Sequence, residues 1–227
     1  MSDERSNHMV VREKFEEELR ELQNRLIELG NFSAAALTSS LEALENQDIE
    51  LALKIIEDDS KANILEEEIN DFAILLIAKQ SPVAVDLRRI IVAIKIANDI
   101  ERIADFGVNI AKSAIRIGKE PLVKPIEHIK QMHKLTLEML SLSIESFGEE
   151  DLSKAKKIAE MDDQVDDLYG ETIRELLKLN QENPSYTAQI TQLSFICRYL
   201  ERAADHTTNI AENVFYLVKG KRYDLNN

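Results

Sequence analysis

The chain has few residues that interrupt a helix or form loops. Its 227 residues include 6 glycines, 4 prolines, one cysteine and no tryptophan, and aromatic residues make up 5% of the sequence. So few helix breakers, together with abundant Leu, Ile, Ala, Glu and Lys, predict an all-α fold. The single cysteine, Cys197, excludes an intrachain disulfide. It lies in an apolar helical run, which predicts a buried thiol rather than a nucleophile.

Basic residues are also in the minority. The chain has 28 Lys and Arg against 42 Asp and Glu, a formal net charge of −14. Nucleic-acid binding depends on clustered Lys and Arg, so this balance argues against a nucleic-acid partner. The same balance disfavours direct docking on anionic lipid. Charged residues from Arg88 to Glu101 interrupt the richest apolar stretch, and no apolar signal segment is seen near the N-terminus. We therefore expect a cytoplasmic chain with no segment inserted in the membrane.

Apolar residues recur at a spacing of three or four, which predicts amphipathic helices. The segment 118–125 contains Gly118, Pro121 and Pro125 and divides the chain almost in half. We predict two tandem antiparallel three-helix bundles related by an internal duplication, residues 1–118 and 119–227. The predicted helices span residues 10–45, 49–79, 83–117, 126–147, 152–181 and 186–219. A break at Gly30 is the alternative in the first helix, and the segment from Lys221 onward is predicted to fray.

An internal repeat carries the strongest functional signal. Seven of eleven residues are identical between positions 101–111 and 201–211. Both copies contain Glu-x-x-x-Asp, as Glu101 with Asp105 and as Glu201 with Asp205. This spacing places both carboxylates on one helix face, where like charges destabilise the helix unless something compensates them. A bound cation is the first candidate for that compensation.

Acidic residues also repeat on the second helix of each half. Pairing these helices at an offset of 104 makes Asp59 and Asn63 the counterparts of Asp163 and Asp167. If the second and third helices pack side by side, several oxygen ligands converge in each half. Oxygen-only ligation suits Mg, Ca, Mn or Fe(III) and disfavours a structural zinc site. The alternative is a pair of solvated acidic faces, in which neighbouring arginines neutralise the carboxylates.

Other sites in helical bundles can be tested against the sequence. A buried di-iron centre requires Glu-x-x-His on two helices, and none of the four histidines follows a glutamate at that spacing. His206, next to Asp205, is predicted to be a surface residue rather than a ligand. The sequence contains no Gly-rich phosphate loop and no nucleophile with a base that could be placed beside it. We therefore predict that the protein is not an enzyme.

Several motifs together resemble the PhoU family of bacterial phosphate-specific transport accessory proteins. They are Asp86-Leu87-Arg88, Glu101-Arg102-x-x-Asp105, the run from Cys197 to Ile210 that contains Glu201 and Asp205, and Phe215-Tyr216-x-Val218-Lys219-Gly220. The resemblance covers both repeats. It implies two three-helix bundles related by a pseudo-twofold axis, and homodimers. It also implies metal bound at the acidic motifs, as multinuclear iron or as Mn, Zn, Ca or Mg. By position, the implied metal ligands are Glu101, Asp105, Asp59, Glu201, Asp205, Asp163 and Asp167.

The implied role is regulatory. PhoU-like proteins restrain phosphate uptake and phosphate-starvation signalling, as adaptors between the ATPase subunit of the phosphate ABC transporter and a sensor histidine kinase. Two alternatives remain open: acidic faces that bind basic partner proteins without metal, and a metal-storage bundle. Asn63 and Lys112 depart from the acidic pattern of the second copy, so we expect the first metal site to be the weaker one.

Overall fold

Within residues 2–225, which the computed structural model describes, the chain forms seven α-helices and no strand. This confirms the predicted all-α fold. Met1, Asn226 and Asn227, at the ends of the two predicted domains, lie outside the described residues. The helices are α1 (Ser2–Asn46), α2 (Ile49–Glu57), α3 (Ser60–Gln80), α4 (Ala84–Ile117), α5 (Glu127–Glu149), α6 (Leu152–Glu182) and α7 (Thr187–Lys219), and a 3₁₀ turn, Pro184–Tyr186, precedes α7.

The same turn starts the second helix of each half. Gln47 and Glu150 both adopt φ of 53°, and each is followed by an aspartate that caps the next helix. Asp48 accepts a hydrogen bond from the backbone N–H of Leu51 at 3.0 Å, and Asp151 accepts one from that of Ser153 at 2.7 Å. Such caps satisfy amide groups that lack a partner within the helix. This turn therefore recurs with an offset of 103 residues.

The second predicted helix is two helices rather than one. At Asp59 and Lys61 the backbone N–H donates to the carbonyl three residues earlier, on Ile56 and Asp58, instead of four. This tightening separates α2 from α3. Asp59 stands at the start of α3 without a side-chain cap hydrogen bond, so the break is made by the backbone alone. In contrast, α1 runs through Gly30 without a break.

The burial pattern fixes how the two halves correspond. Residues 62, 69 and 73 of α3 are buried, and so are residues 165, 172 and 176 of α6, each 103 positions later. The predicted offset of 104 for these helices is therefore wrong by one residue. In the corrected register, Asp59 corresponds to Asp162 and Asn63 corresponds to Asp166. One residue on a helix is 100° of rotation, so this shift changes which carboxylates face α7.

The halves pack through equivalent helices, α4 against α7 and α1 against α5. The α4–α7 pair is antiparallel, since Asp99 contacts His206 and Phe106 contacts Tyr199. These contacts are equivalent under the offset of 100, so they lie on opposite sides of a pseudo-twofold axis. One is a hydrogen-bonded pair at 2.8 Å and the other is a ring stack with centroids 6.2 Å apart. A hydrophobic core that includes residues from both halves surrounds this pair of helices.

The C-terminal segment is packed up to Leu225, although the sequence predicts fraying. The Tyr223 ring lies 5.4 Å from the Phe215 ring, and the backbone N–H of Leu225 donates to Glu212 at 2.9 Å. These contacts fold the segment back along α7. No helix among the described residues is both long enough and apolar enough to cross a bilayer.

Candidate functional site: two acidic helix faces

The first acidic face consists of Asp59, Glu101 and Asp105. Glu101 is buried, with 9% of its surface exposed, and burial and then Asp105 raise its pKa. Burial and then Asp105 also raise the pKa of Asp59. Arg102 lies between the two α4 carboxylates and bonds Asp105 at 2.8 Å. The three acids therefore interact unfavourably, and Arg102 compensates only part of that repulsion.

The second acidic face consists of Asp162, Asp166, Glu201 and Asp205. Burial raises the pKa of Glu201 to about 7, and Asp205 adds to the rise. Burial also raises the pKa of Asp205 and of Asp166. Arg198 pairs with Glu201, yet the Oε2 atom of Glu201 is buried without a hydrogen-bond partner. The second face therefore disfavours its own negative charge more strongly than a single surface carboxylate would.

The structure brings four of the predicted ligands onto α4 and α7 as expected: Glu101, Asp105, Glu201 and Asp205. Asp59 joins the first pair from the start of α3. Asp163, Asp166 and Asp167 are all exposed by surface area, whereas Asp162 is buried. Asp163 and Asp167 raise the pKa of Asp166 and are not among the residues that raise the pKa of Glu201. Asp162 and Asp166 are the α6 residues that raise the pKa of Glu201. The sequence interpretation missed both residues because of the one-residue register error.

A local signal could have corrected that register. The capping aspartates, Asp48 and Asp151, are 103 residues apart and begin the helices in question. Extending that offset along both helices places Ala52 opposite Ala155, Ile55 opposite Ile158 and Ala62 opposite Val165. Asp162 then falls opposite Asp59 without any knowledge of the fold.

The donor atoms suit a hard cation, but they do not form a closed site as they stand. All are carboxylate or amide oxygens, which Mg, Ca, Mn and Fe(III) prefer. Among the described residues, no group of three or more His, Cys, Asp or Glu side chains is arranged to hold a metal ion. The unpartnered oxygen of Glu201 is the observation that fits a cation. The chemistry of the donors therefore fits a metal, and their number and type are what the structure contributes to that case.

The two faces differ in charge. Asn63 stands where the second half has Asp166, and Lys112 stands where it has Glu212. Lys112 lowers the pKa of Asp59. The first face therefore has one fewer carboxylate and a nearby ammonium group, which makes it less attractive to a cation.

His206 lies beside the second face but is directed to α4. Its Nδ1 lies 2.8 Å from Asp99 of the other half, and its side chain is 18% exposed. The prediction of a surface residue was wrong, because sequence alone does not show that α7 packs antiparallel on α4. In this position His206 links the halves.

These features define a class of protein: duplicated three-helix bundles whose two central helices carry paired carboxylates. Residues 26–114 and 129–214 each match the family described as PhoU domain. The chain is 38% identical to a phosphate-specific transport system accessory protein PhoU homolog of Clostridium acetobutylicum, over 96% of this chain and 100% of that protein. It is also 38% identical to a homolog with the same description from Aquifex aeolicus, over 92% and 94%. The chain belongs to the PhoU family.

Solved structures agree with that assignment. A crystal structure of PhoU from Pseudomonas aeruginosa superposes with a TM-score of 0.86 at 29% identity, covering 91% of this chain and all of that one. The phosphate transport system regulatory protein PhoU from Streptococcus pneumoniae superposes with a TM-score of 0.87 at 32% identity, covering 92% and 99%. The fold class predicted from sequence is therefore confirmed.

Proposed function

We propose that this protein is a non-enzymatic regulatory accessory protein of a phosphate-specific transport system. The observation that carries the proposal is its match to PhoU relatives along nearly the full chain, with both repeats present. Those relatives are named as accessory or regulatory proteins of phosphate transport. The proposed partners are the ATPase subunit of the transporter and a sensor histidine kinase, with the protein acting as a cytoplasmic homodimer.

Within this role, the two acidic faces bind a hard cation when they are not in contact with a partner. A cation would lower the repulsion that raises the pKa of Glu201 and Asp205. The ligands in the second half are Glu201, Asp205, Asp162 and Asp166, with Asp163 and Asp167 at the edge. Those in the first half are Glu101, Asp105 and Asp59. Bound metal supplies positive charge that holds the carboxylates ionised and fixes their orientation.

A second candidate role for the same faces is direct binding of basic partner surfaces. The absence of a three-ligand metal arrangement among the described residues favours it. In that case Arg or Lys side chains of the partner occupy the positions that a cation would take. Both roles use the same repulsion between carboxylates, so a measurement must separate them.

Elemental analysis of protein purified without chelator separates the two roles. The comparison is between the wild type and the paired variants Glu101→Ala/Asp105→Ala and Glu201→Ala/Asp205→Ala. If the faces are metal sites, we expect stoichiometric metal that is lost separately with each pair. If purified protein is free of metal but charge reversal at Glu201 and Asp205 abolishes binding to the ATPase subunit in chelated buffer, the faces are protein contacts. Partner binding that neither variant pair affects would contradict both roles.

A further inference from the structure

A cavity lies between α1, α2 and α4, beside the first acidic face. Its volume is about 230 Å³. Most of its lining residues are apolar, and its charged lining residues are Lys54, Asp58 and Asp59. The other lining residues include Phe32, Ala36, Ser39, Ile55, Ala104 and Val108.

In the second half, larger side chains stand at the positions that correspond to this lining. At an offset of 103, Ala36 corresponds to Met139, Ser39 to Leu142 and Asp58 to Met161. Met139 and Met161 are buried in the main core, with 0% and 4% of their surface exposed, and Leu142 packs against that core. Three larger apolar side chains therefore stand where the first half has small or charged ones. The fold accepts both versions, so the cavity is a property of the first half.

The cavity also divides the core of the first half. Ala52 and Ile55 of α2 pack with Val108 in a small cluster that is separate from the main core. Their counterparts on α6, Ala155 and Ile158, belong to the main core. In the first half α2 also ends early, at the turn around Asp58 and Asp59. The α2 helix therefore packs on α1 and α4 through this small cluster rather than through the main core.

The volume of the cavity and the charges around it indicate which kind of side chain it can hold. An apolar cavity of about 150 Å³ holds a benzene ring, so this one accommodates a larger aromatic side chain. Asp58 is paired with Lys61 at 2.7 Å, whereas Asp59 has no ion pair within the part of the chain that the structure describes. Lys112 lowers the pKa of Asp59, but Asp105 raises it more, so the local charge at Asp59 is net negative. Glu101 and Asp105 of the first acidic face lie close to Asp59 and add negative charge there. An aromatic residue with basic neighbours is complementary to this arrangement.

We propose that this cavity is a docking site for a partner protein segment in which an aromatic side chain is flanked by Arg or Lys. The aromatic ring occupies the space that Met139, Leu142 and Met161 fill in the second half. The basic neighbour pairs with Asp59, which lines the cavity. The proposal goes beyond the metal and transporter roles above and requires neither of them, so it can fail or succeed independently.

The chain contains no tryptophan, which allows a direct test. The probe is a pentapeptide with one tryptophan between arginine and lysine, added to the whole protein in chelated, low-salt buffer. Excitation of its indole reports burial without background from the protein. We expect a saturable blue shift of emission, and about tenfold weaker binding of a peptide with glutamates in place of the basic residues.

Two variants test the site itself. Ala36→Met/Ser39→Leu introduces the residues of the second half, and we expect it to abolish the emission shift while circular dichroism stays helical. Asp59→Asn removes only the charge, since Asp59 makes no side-chain cap bond, and we expect about threefold weaker binding. Glu160→Gln, an exposed acid of the second half, is the matched charge control and is expected to bind as the wild type does.

Several results would overturn the proposal. One is the absence of an emission shift with the wild-type protein, and another is equal binding by a folded Ala36→Met/Ser39→Leu variant. If that variant does not fold, equal effects of Asp59→Asn and Glu160→Gln decide against the site. Free indole that binds as tightly as the peptide would indicate a small-molecule pocket instead. Peptide binding only to monomer, with a dimer that excludes it, would indicate that a second copy covers the cavity.

Discussion

Glu201 makes the stability of the metal-free protein depend on pH in an unusual direction. Its pKa rises from an ordinary value of 4.5 to about 7 in the folded chain. Between these values the folded state binds the proton more tightly than the unfolded state does. By linkage, stability falls as pH rises through this range, and the full destabilisation is present above the folded pKa. Below the unfolded pKa, where both states are protonated, Glu201 imposes no such cost.

The size of the effect follows from the shift. One pKa unit corresponds to about 1.4 kcal/mol, so the shift sets an upper bound of about 3 kcal/mol. The Glu201 side chain is 12% exposed at an open face, and screening reduces the bound to roughly 2 kcal/mol. We expect Glu201→Gln to match the wild type below the unfolded pKa of 4.5 and to be more stable by roughly 2 kcal/mol near about pH 8. Urea unfolding in chelated buffer across this range measures the difference.

Glu101→Gln repeats the same test in the first half. Burial and Asp105 also raise the pKa of Glu101, so its substitution should stabilise in the same direction. Added Mn²⁺ or Mg²⁺ should reduce the difference in unfolding free energy between Glu201→Gln and the wild type. The reason is that a bound cation removes the repulsion between carboxylates in the wild type only. A difference between Glu201→Gln and wild type that does not change with pH would refute the reasoning, and so would one that grows toward acid.

Three further predictions concern the asymmetry between the two acidic faces, the helix caps and phosphate binding. Asn63→Asp should strengthen metal binding by the first face and Asp166→Asn should weaken it at the second, both measured by calorimetry; equal affinities in the wild-type faces would contradict the charge argument. Asp48→Ala and Asp151→Ala should each lower the free energy of unfolding by about 1 kcal/mol, the usual value for a lost N-cap, in urea titrations. The metal-free protein should give no heat on titration with inorganic phosphate, since the chain has a net charge of −14 and no phosphate loop; saturable heat would disprove this.

Sequence alone predicts the helices because their ends are set locally. Asp48 and Asp151 start helices by side-chain capping, and Pro82 and Pro184 prevent helices from continuing, so these boundaries come within a few residues of the structure. The turn at Asp58 and Asp59 is different. The apolar spacing continues on both sides of it, and nothing local shows that the backbone tightens there.

The sequence predicts the carboxylates of α4 and α7 in the candidate site but not those of α6, for a related reason. Glu101 and Glu201 lie in a repeat whose identical residues fix the offset. The second helices share few residues, so their register depends on which apolar side chains become buried. That burial is decided by packing against α4 and α7. Asp162 and Asp166 can be found from the sequence only if the 103-residue offset of the capping aspartates, Asp48 and Asp151, is extended along both helices. The contact between Asp99 and His206 becomes visible only in the folded chain.

The packing of α4 on α7 has a consequence for how such a chain evolves. Each repeat contributes one side of a shared interface, so a single repeat would bury that side only against a second copy of itself. In such an ancestor, every substitution would appear twice, on both sides of the axis. With both copies in one chain, a substitution on one side of the axis no longer appears on the other. One side of the axis now has Asp99 with His206 and the other has Phe106 with Tyr199, so each half is free to acquire a ligand that the other does not bind.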